Sequence, residues 1–372
     1  MIGSDSRTAV IDAGNCYITG TFNGSAGSTI TVGGSVTLTG TGFRQIFVAK
    51  FKPNGTAVWA KQPIGTTYAN HYAKGIGVDF GGNSFITGYL GANGVQFGST
   101  PALSGPGAFI TKLDTNGNFV WAKKIGQFGY ADGYSVAVNI GNISYVTGYF
   151  QGTETFATST PVTLTALGVR DVFLAKVDAT GLLLTVQQFG AAGNTAYAPG
   201  VSTDMYGNVF VTGNFDTKIV FGGTALTAGG PGMTEGFVAK IDMSGTPLWA
   251  KQSIGSGGET QGNSVAAAPN GECYVCGTYL GTGTVSFGSI SMPSSGARCT
   301  FVVKYDINGN ILWGQHSQPL NTGESPMGIS YDANYDIYIA GNVQGAAQFG
   351  THTLVAHGGI DAFIAKLSHV CP

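Results

Sequence analysis

Apolar and polar residues alternate over short runs along nearly the whole chain, and Gly, Asn or Asp bounds each run. Residues 17–22 (YITGTF), 135–139 (SVAVN) and 209–215 (VFVTGNF) are representative, and the longer ones are rich in β-branched and aromatic side chains. A period of two, short length and those bounding residues predict strands. No stretch carries a 3.6-residue apolar stripe, so the pattern predicts an all-β chain.

The runs recur. Phe47, Phe109, Phe173, Phe237, Phe301 and Phe363 each stand three residues before a lysine, Lys50, Lys112, Lys176, Lys240, Lys304 and Lys366. A second column is Gly20, Gly88, Gly148, Gly213, Gly277 and Gly341. All four tryptophans, Trp59, Trp121, Trp249 and Trp313, fall twelve residues after the Phe, and Thr185 fills that place in the third copy. A fixed period of this length signals a repeat architecture. Six repeats follow, at about 1–63, 64–125, 126–189, 190–253, 254–316 and 317–372, read as one domain over 1–372. Each of the first five holds four predicted strands, a to d, and the sixth holds a, b and c.

Side-chain size grows along each repeat. Strand a carries Thr8, Gly75, Ser135, Gly200, Ser264 and Gly328, then Val10, Gly77, Ala137, Ser202, Ala266 and Ser330 two residues on. Strands b, c and d hold the aromatics. A propeller blade must be slim at the axis and wide at the rim, so the expectation is a six-bladed β-propeller of four-stranded blades. The c–d connections read Asp114 to Gly117, Asp178 to Gly181, Asp242 to Gly245 and Asp306 to Gly309. There Asp accepts from nearby backbone N–H groups and Gly takes positive φ.

The string D-x-x-G-N-x-Y-V-T-G followed by F-V-A-K-x-D-x-x-G-x-x-x-W-A-K resembles the SBBP repeat, a bacterial and archaeal β-propeller repeat. The resemblance covers nearly the whole chain. It implies a propeller in secreted or cell-surface proteins, with no activity generally assigned. The first ten residues have neither the basic start nor the apolar core of a signal peptide. An extracellular or surface setting is expected, with the cytoplasm as the alternative.

Strands a, b and c are predicted six times but strand d only five, because the last readable strand is strand c of repeat six. The last blade is therefore expected to lack its outer strand. An unpaired edge is a template for another strand, so a strand donor or oligomer partner is expected at Phe363–Leu367.

Only 10% of residues are charged and the net charge is −2, which excludes the clustered basic surface of a nucleic-acid binder. No apolar run is long enough for a membrane-spanning helix. Cys273 and Cys276 lie three apart on a predicted strand and face opposite sides, so zinc and redox roles are not expected. The five histidines have no ligand spacing. The column lysines are expected to lie against apolar surface and to meet the a–b turn acids Asp12, Asp79, Asp204 and Asp332. Arg44, Arg170 and Arg298 share one column on alternate repeats, roughly 25 Å apart given ~4.8 Å strand spacing, too far to grip one small anion together. No catalytic, cofactor-binding or metal-ligating residue is assigned, and the chain is expected not to be an enzyme.

The b–c connections, Gly91–Gly107, Gly152–Arg170, Asp216–Glu235 and Gly281–Arg298, are long and differ between copies. In a propeller they share a face with the d–a loops, which offer Tyr68, Asn70, His71, Tyr130, Asp132, Asn194, Tyr197, Glu259 and Glu324. Tyr with Asn or Asp suits sugar or protein recognition. The expected function is therefore a non-catalytic interaction module of a surface or secreted protein, binding protein or glycan through this face, to which Arg44, Arg170 and Arg298 also belong. The alternatives are a purely structural unit of a larger assembly and, ranked last, a polysaccharide-acting enzyme.

Overall fold

The computed structural model describes residues 7–10, 14–23, 26–40, 44–65, 70–255, 257–319, 323–332 and 334–368. Every regular element among them is a β-strand. The chain divides into two compact units, Met1–Ala166 with Val172–Gln188, and Leu167–Asp171 with Phe189–Pro372.

The first unit holds repeats one to three, each a four-stranded sheet ordered a, b, c, d. Repeat two shows the pattern: Tyr72–Val78, Ser84–Leu90, Gly107–Leu113 and Phe119–Lys124, all antiparallel. Repeats four and five in the second unit have the same order. In repeat six, strand a is Glu324–Tyr331, strand b Ile337–Phe349 and strand c His352–Leu367. Among the described strands its strand c pairs with strand b alone. Ile364 there is 71% exposed, whereas its counterparts Val48, Ile110, Leu174, Val238 and Val302 are at most 3% exposed.

The slim residues of strand a lie where backbones meet. A Cβ on Gly75 would stand 2.7 Å from Cα of Ser135, and one on Gly77 would stand 2.7 Å from the Val136 carbonyl oxygen, both on strand a of the next repeat. In the second unit Gly200 faces Ser264 in the same way, at 3.0 Å. Bulkier side chains would push adjacent strands apart, which is why this column stays small.

The b–c connections differ from expectation. They are not variable loops but β-hairpins, with Thr29–Val32 against Val36–Thr39, Thr153–Phe156 against Val162–Thr165, and Lys218–Phe221 against Thr224–Thr227. In repeat five strand b runs on to Phe287 and folds against Ile290–Ser295. Gly33, Gly222, Gly288 and Gly350 close such hairpins, and Gly98 ends the corresponding segment of repeat two, each with φ between +57° and +59°. The residue before that Gly, or its counterpart Phe156, packs on the column Phe. The ring pairs are Phe97 on Phe109 at 5.3 Å, Phe156 on Phe173 at 5.6 Å, Phe221 on Phe237 at 5.2 Å, Phe287 on Phe301 at 4.6 Å and Phe349 on Phe363 at 5.1 Å.

The same hairpins pair with the stretch that ends or follows strand d of the preceding repeat. Ile64–Gly65 pairs with Val95–Gln96, Gly126 bridges Phe156, Ser253–Gly255 pairs with Val285–Phe287, and Gln318–Pro319 pairs with Ala347–Gln348. Their differing lengths therefore vary around one structural task that recurs along the chain.

Tryptophan adds a second fastening. The indole N–H of Trp59 donates to the carbonyl of Thr115 at 3.0 Å, Trp121 to Ala179 at 3.0 Å, and Trp249 to Ile307 at 2.9 Å. Each acceptor is the residue after the Asp of the next repeat's c–d turn, whose Gly lies under the ring: a Cβ on Gly117 would be 2.7 Å from the Trp59 indole. Repeat three, which ends the first unit, carries Thr185 in place of Trp.

The column lysines lie over strand-b rings. Lys50 is 4.9 Å from the Tyr17 centroid, Lys112 5.1 Å from Phe85, Lys240 4.9 Å from Phe210 and Lys304 5.3 Å from Tyr274. Asp79 and Asp204 face Lys112 and Lys240 at 3.9 and 3.7 Å, as expected. Asp12 lies outside the described residues. The expected pairing of Asp332 is corrected: Lys366 meets Asp336 at 2.7 Å, a carboxylate standing where the other repeats have Asn83 and Asn208, and the second oxygen of Asp332 accepts from the Tyr338 hydroxyl at 3.1 Å. Lys304 meets Glu272 at 2.8 Å. Cys273 and Cys276 are buried in different core clusters, on opposite faces of their strand.

Candidate functional site

Strand a carries a feature that the period-two reading conceals. In repeats two to six the a–b register slips by one residue at the same place, between Ala73 and Gly75, Gly133 and Ser135, Tyr197 and Gly200, Gly262 and Ser264, and Pro326 and Gly328. A slip of this kind is a β-bulge, which leaves one residue unpaired and re-aims a side chain. The residues so placed are Lys74, Tyr134, Pro199, Asn263 and Met327. The bulge also explains the glycine column. A Cβ on Gly88, Gly148, Gly213, Gly277 or Gly341 would stand between 1.8 and 2.2 Å from the carbonyl oxygen of Tyr72, Asp132, Tyr197, Gln261 or Ser325, respectively. No side chain fits there.

In the first unit two bulges act together. Lys74 reaches the Asp132 carboxylate at 2.5 Å and lies 4.2 Å from the centroid of the Tyr134 ring. Tyr134 packs at 5.7 Å on Tyr149, which stands opposite Asp132 in the sheet. Tyr72 and Tyr89 are directly opposite one another on strands a and b of repeat two. Burial, then the negative charge of Asp132 and the neighbouring Tyr72, push the Tyr89 phenol up from its usual range. Arg44 donates to the Tyr72 hydroxyl at 3.0 Å, its guanidinium carbon 5.2 Å from that ring. The four phenol side chains are half-buried and Arg44 is exposed. A charged pair is thus set among aromatic faces open on one side.

The residues singled out in the sequence fall into three groups. Asp132 and Arg44 enter this cluster. Tyr130, 48% exposed, stands beside it in sequence, its backbone N–H donating to Glu154 at 2.9 Å. Arg170 lies over Tyr197 at 5.1 Å, and Arg298 meets Glu259 at 3.7 Å, both in the second unit. Asn70 is exposed, and Tyr68 lies outside the described residues.

The third group is interior. His71 is buried, accepts the Gly91 N–H at Nδ1 from 3.2 Å, and is pushed down to about 4 by burial. Asn194 is buried and accepts from the Asp216 backbone N–H at 3.3 Å. Glu324 is buried and accepts from the Ser317 hydroxyl at 2.9 Å, its acidity weakened by burial. These side chains brace d–a segments from within. Glu154 does likewise, accepting the N–H groups of Gln127 and Phe128 at 2.8 Å.

Tyr72, Lys74, Tyr89, Tyr134 and Tyr149 were not singled out. Their signal was the extra residue in strand a, visible only once strands a and b are aligned on the glycine opposite.

Several known proteins are similar to this chain. The β-propeller repeat of the SBBP family matches at residues 58–89 and 186–214. An uncharacterized WD repeat-containing protein, L264 of Acanthamoeba polyphaga mimivirus, is 25% identical over 338 residues, covering 72% of this chain. The match takes in 24% of that protein's own length. Virginiamycin B lyase from Staphylococcus aureus is 10% identical with a TM-score of 0.39, covering 89% of each chain. A gluconolactonase, XC5397 from Xanthomonas campestris, is 11% identical with a TM-score of 0.38, covering 90% of this chain and 91% of its own. The expectation that the chain is not an enzyme is corrected by this finding: the structures it is similar to include proteins named as a lyase and a gluconolactonase. The likeness assigns no reaction to this chain. With its sheets of four strands and its repeated columns, the chain carries SBBP β-propeller repeats at the two matched segments, residues 58–89 and 186–214.

Proposed function

We propose that the chain is a propeller interaction module whose six repeats form the blades of one ring, and that it binds a glycan at the strand-a ends of repeats two and three. One observation carries the reading: the bulged position keeps its backbone geometry in five repeats while its side chain changes from Lys74 to Tyr134, Pro199, Asn263 and Met327. Constant placement with changing chemistry is how a scaffold presents recognition residues. Half-exposed tyrosines beside a fixed ion pair favour a glycan. Rings cover the apolar faces of sugars, and phenols and carboxylates hydrogen-bond their hydroxyls. Binding to a saccharide array, lost in Tyr134→Ala with the thermal melt unchanged, is the expected result. The same incubations read turnover by product analysis. Retained saccharide binding in Tyr134→Ala, or capture of peptides only, would refute this assignment.

A further inference from the structure

The three column arginines differ in how their charge is balanced. Arg298 has the Glu259 carboxylate at 3.7 Å. Arg44 has no carboxylate within ion-pair reach among the described residues, and its one side-chain partner is the Tyr72 hydroxyl. Lys74 is already neutralised by Asp132 at 2.5 Å. His71, three residues before Lys74, is held neutral at ordinary pH by its burial. The cluster therefore carries two cations against one carboxylate, and the surplus sits on an exposed guanidinium at the edge of an aromatic face. A guanidinium has five donors in a planar fork that matches a carboxylate, and one hydrogen bond to a phenol leaves most of them for a ligand.

We infer that the site takes an acidic saccharide, its sugar ring against Tyr72 and Tyr89 and its carboxylate on Arg44. This rests on the glycan reading above and adds the charge of the ligand. An acidic peptide would satisfy Arg44 equally well but would make no use of two phenols set side by side across a pair of strands.

The test is calorimetric titration with a galacturonic acid oligomer and with the same oligomer after carboxyl reduction. Wild type is expected to bind the acid form at least tenfold more tightly, with a Kd that weakens as salt rises. Arg44→Ala should lose that preference, binding the acid and reduced forms alike, and Arg44→Lys should retain part of it. Because Arg44 is exposed, an unchanged thermal melt checks the fold. Equal binding of both oligomers, lost together in Tyr134→Ala, overturns the charge inference and leaves the glycan reading intact. A preference that survives Arg44→Ala also overturns it. Binding of neither oligomer, with an aspartate-rich peptide binding instead, overturns both.

Discussion

Ser253 and Ser317 stand 64 residues apart at one position of the repeat, and each donates its hydroxyl proton to a buried glutamate brought in from a different strand. Ser253 meets Glu235, from strand c of its own repeat, at 2.6 Å; Ser317 meets Glu324, from strand a of the next, at 2.9 Å. The serines also accept the backbone N–H groups of Gly236 and Thr300, both at 2.9 Å. One acid per junction serves the task, and either neighbouring strand can supply it.

Glu324 gives a pH signature. Burial raises its pKa above the unfolded value, so its contribution to stability is fully present below the ordinary glutamate pKa of about 4.3 and is lost as pH rises through the raised value. Glu324→Gln keeps an acceptor for Ser317 without the charge. It should therefore be more stable than wild type at pH 7, by about 1 kcal/mol, and the gap should close towards pH 4. Denaturant melts at both pH values check this. A variant less stable at pH 7 contradicts it.

The exposed turn acids titrate in the opposite sense. Thr180 and Ser244 hydroxyls, with backbone N–H groups, hold Asp178 and Asp242 below the usual carboxylate range. Their contribution is present above the unfolded pKa of about 3.9 and is lost as pH falls through the folded values. The c–d hairpins should lose amide protection first on acidification, and Asp242→Ala should reproduce that loss locally at neutral pH. Hydrogen exchange across 242–246 reads it.

Gly148 tests the bulge. A Cβ there would be 1.9 Å from the Asp132 carbonyl oxygen, a clash with backbone that no rotamer relieves. Gly148→Ala should cost about 3 kcal/mol and abolish saccharide binding, because the bulge sets both Asp132 and Tyr134. A mild loss of stability with binding intact would show that the bulge does not position the site.

Trp249→Phe removes one indole N–H bond to the turn carbonyl of Ile307 while keeping most of the ring. About 1 kcal/mol should be lost, seen as a lower denaturant midpoint with unchanged slope. Trp249→Ala should lose about 3 kcal/mol.

Strand c of repeat six should exchange its amides at Phe363–Leu367 far faster than Cys299–Tyr305 of repeat five, which has a strand on each side. Equal protection would mean that something covers this edge in solution.

The frame was legible in the sequence because its columns are local. The Phe-to-Lys step, the Asp-to-Gly turns and the tryptophans lie within continuous strands and hairpins whose spacing insertions do not disturb. The hairpin phenylalanines escaped notice because Phe97, Phe156, Phe221, Phe287 and Phe349 drift against the column Phe as the intervening segment changes length. The bulge escaped because it is a relation between two strands. Glu324 was read as a recognition residue and its bracing role went unseen, because Glu235 and Glu324 exchange strands from one junction to the next and neither forms a column. Of the site, composition pointed to Asp132 and Arg44, and only the register brings Lys74 and the four tyrosines to them.

Trp59, Trp121 and Trp249 each close on a turn that belongs to the following copy, and at four places a hairpin grips the stretch that ends or follows strand d of the copy before. Each of these junctions thus arrives with both halves of its own clasp encoded in the two copies that meet. A gene duplication that adds a whole unit, or a recombination that removes one, leaves every remaining clasp matched. Such a chain can change its number of copies in a single genetic event, with no compensating substitution needed in those that remain.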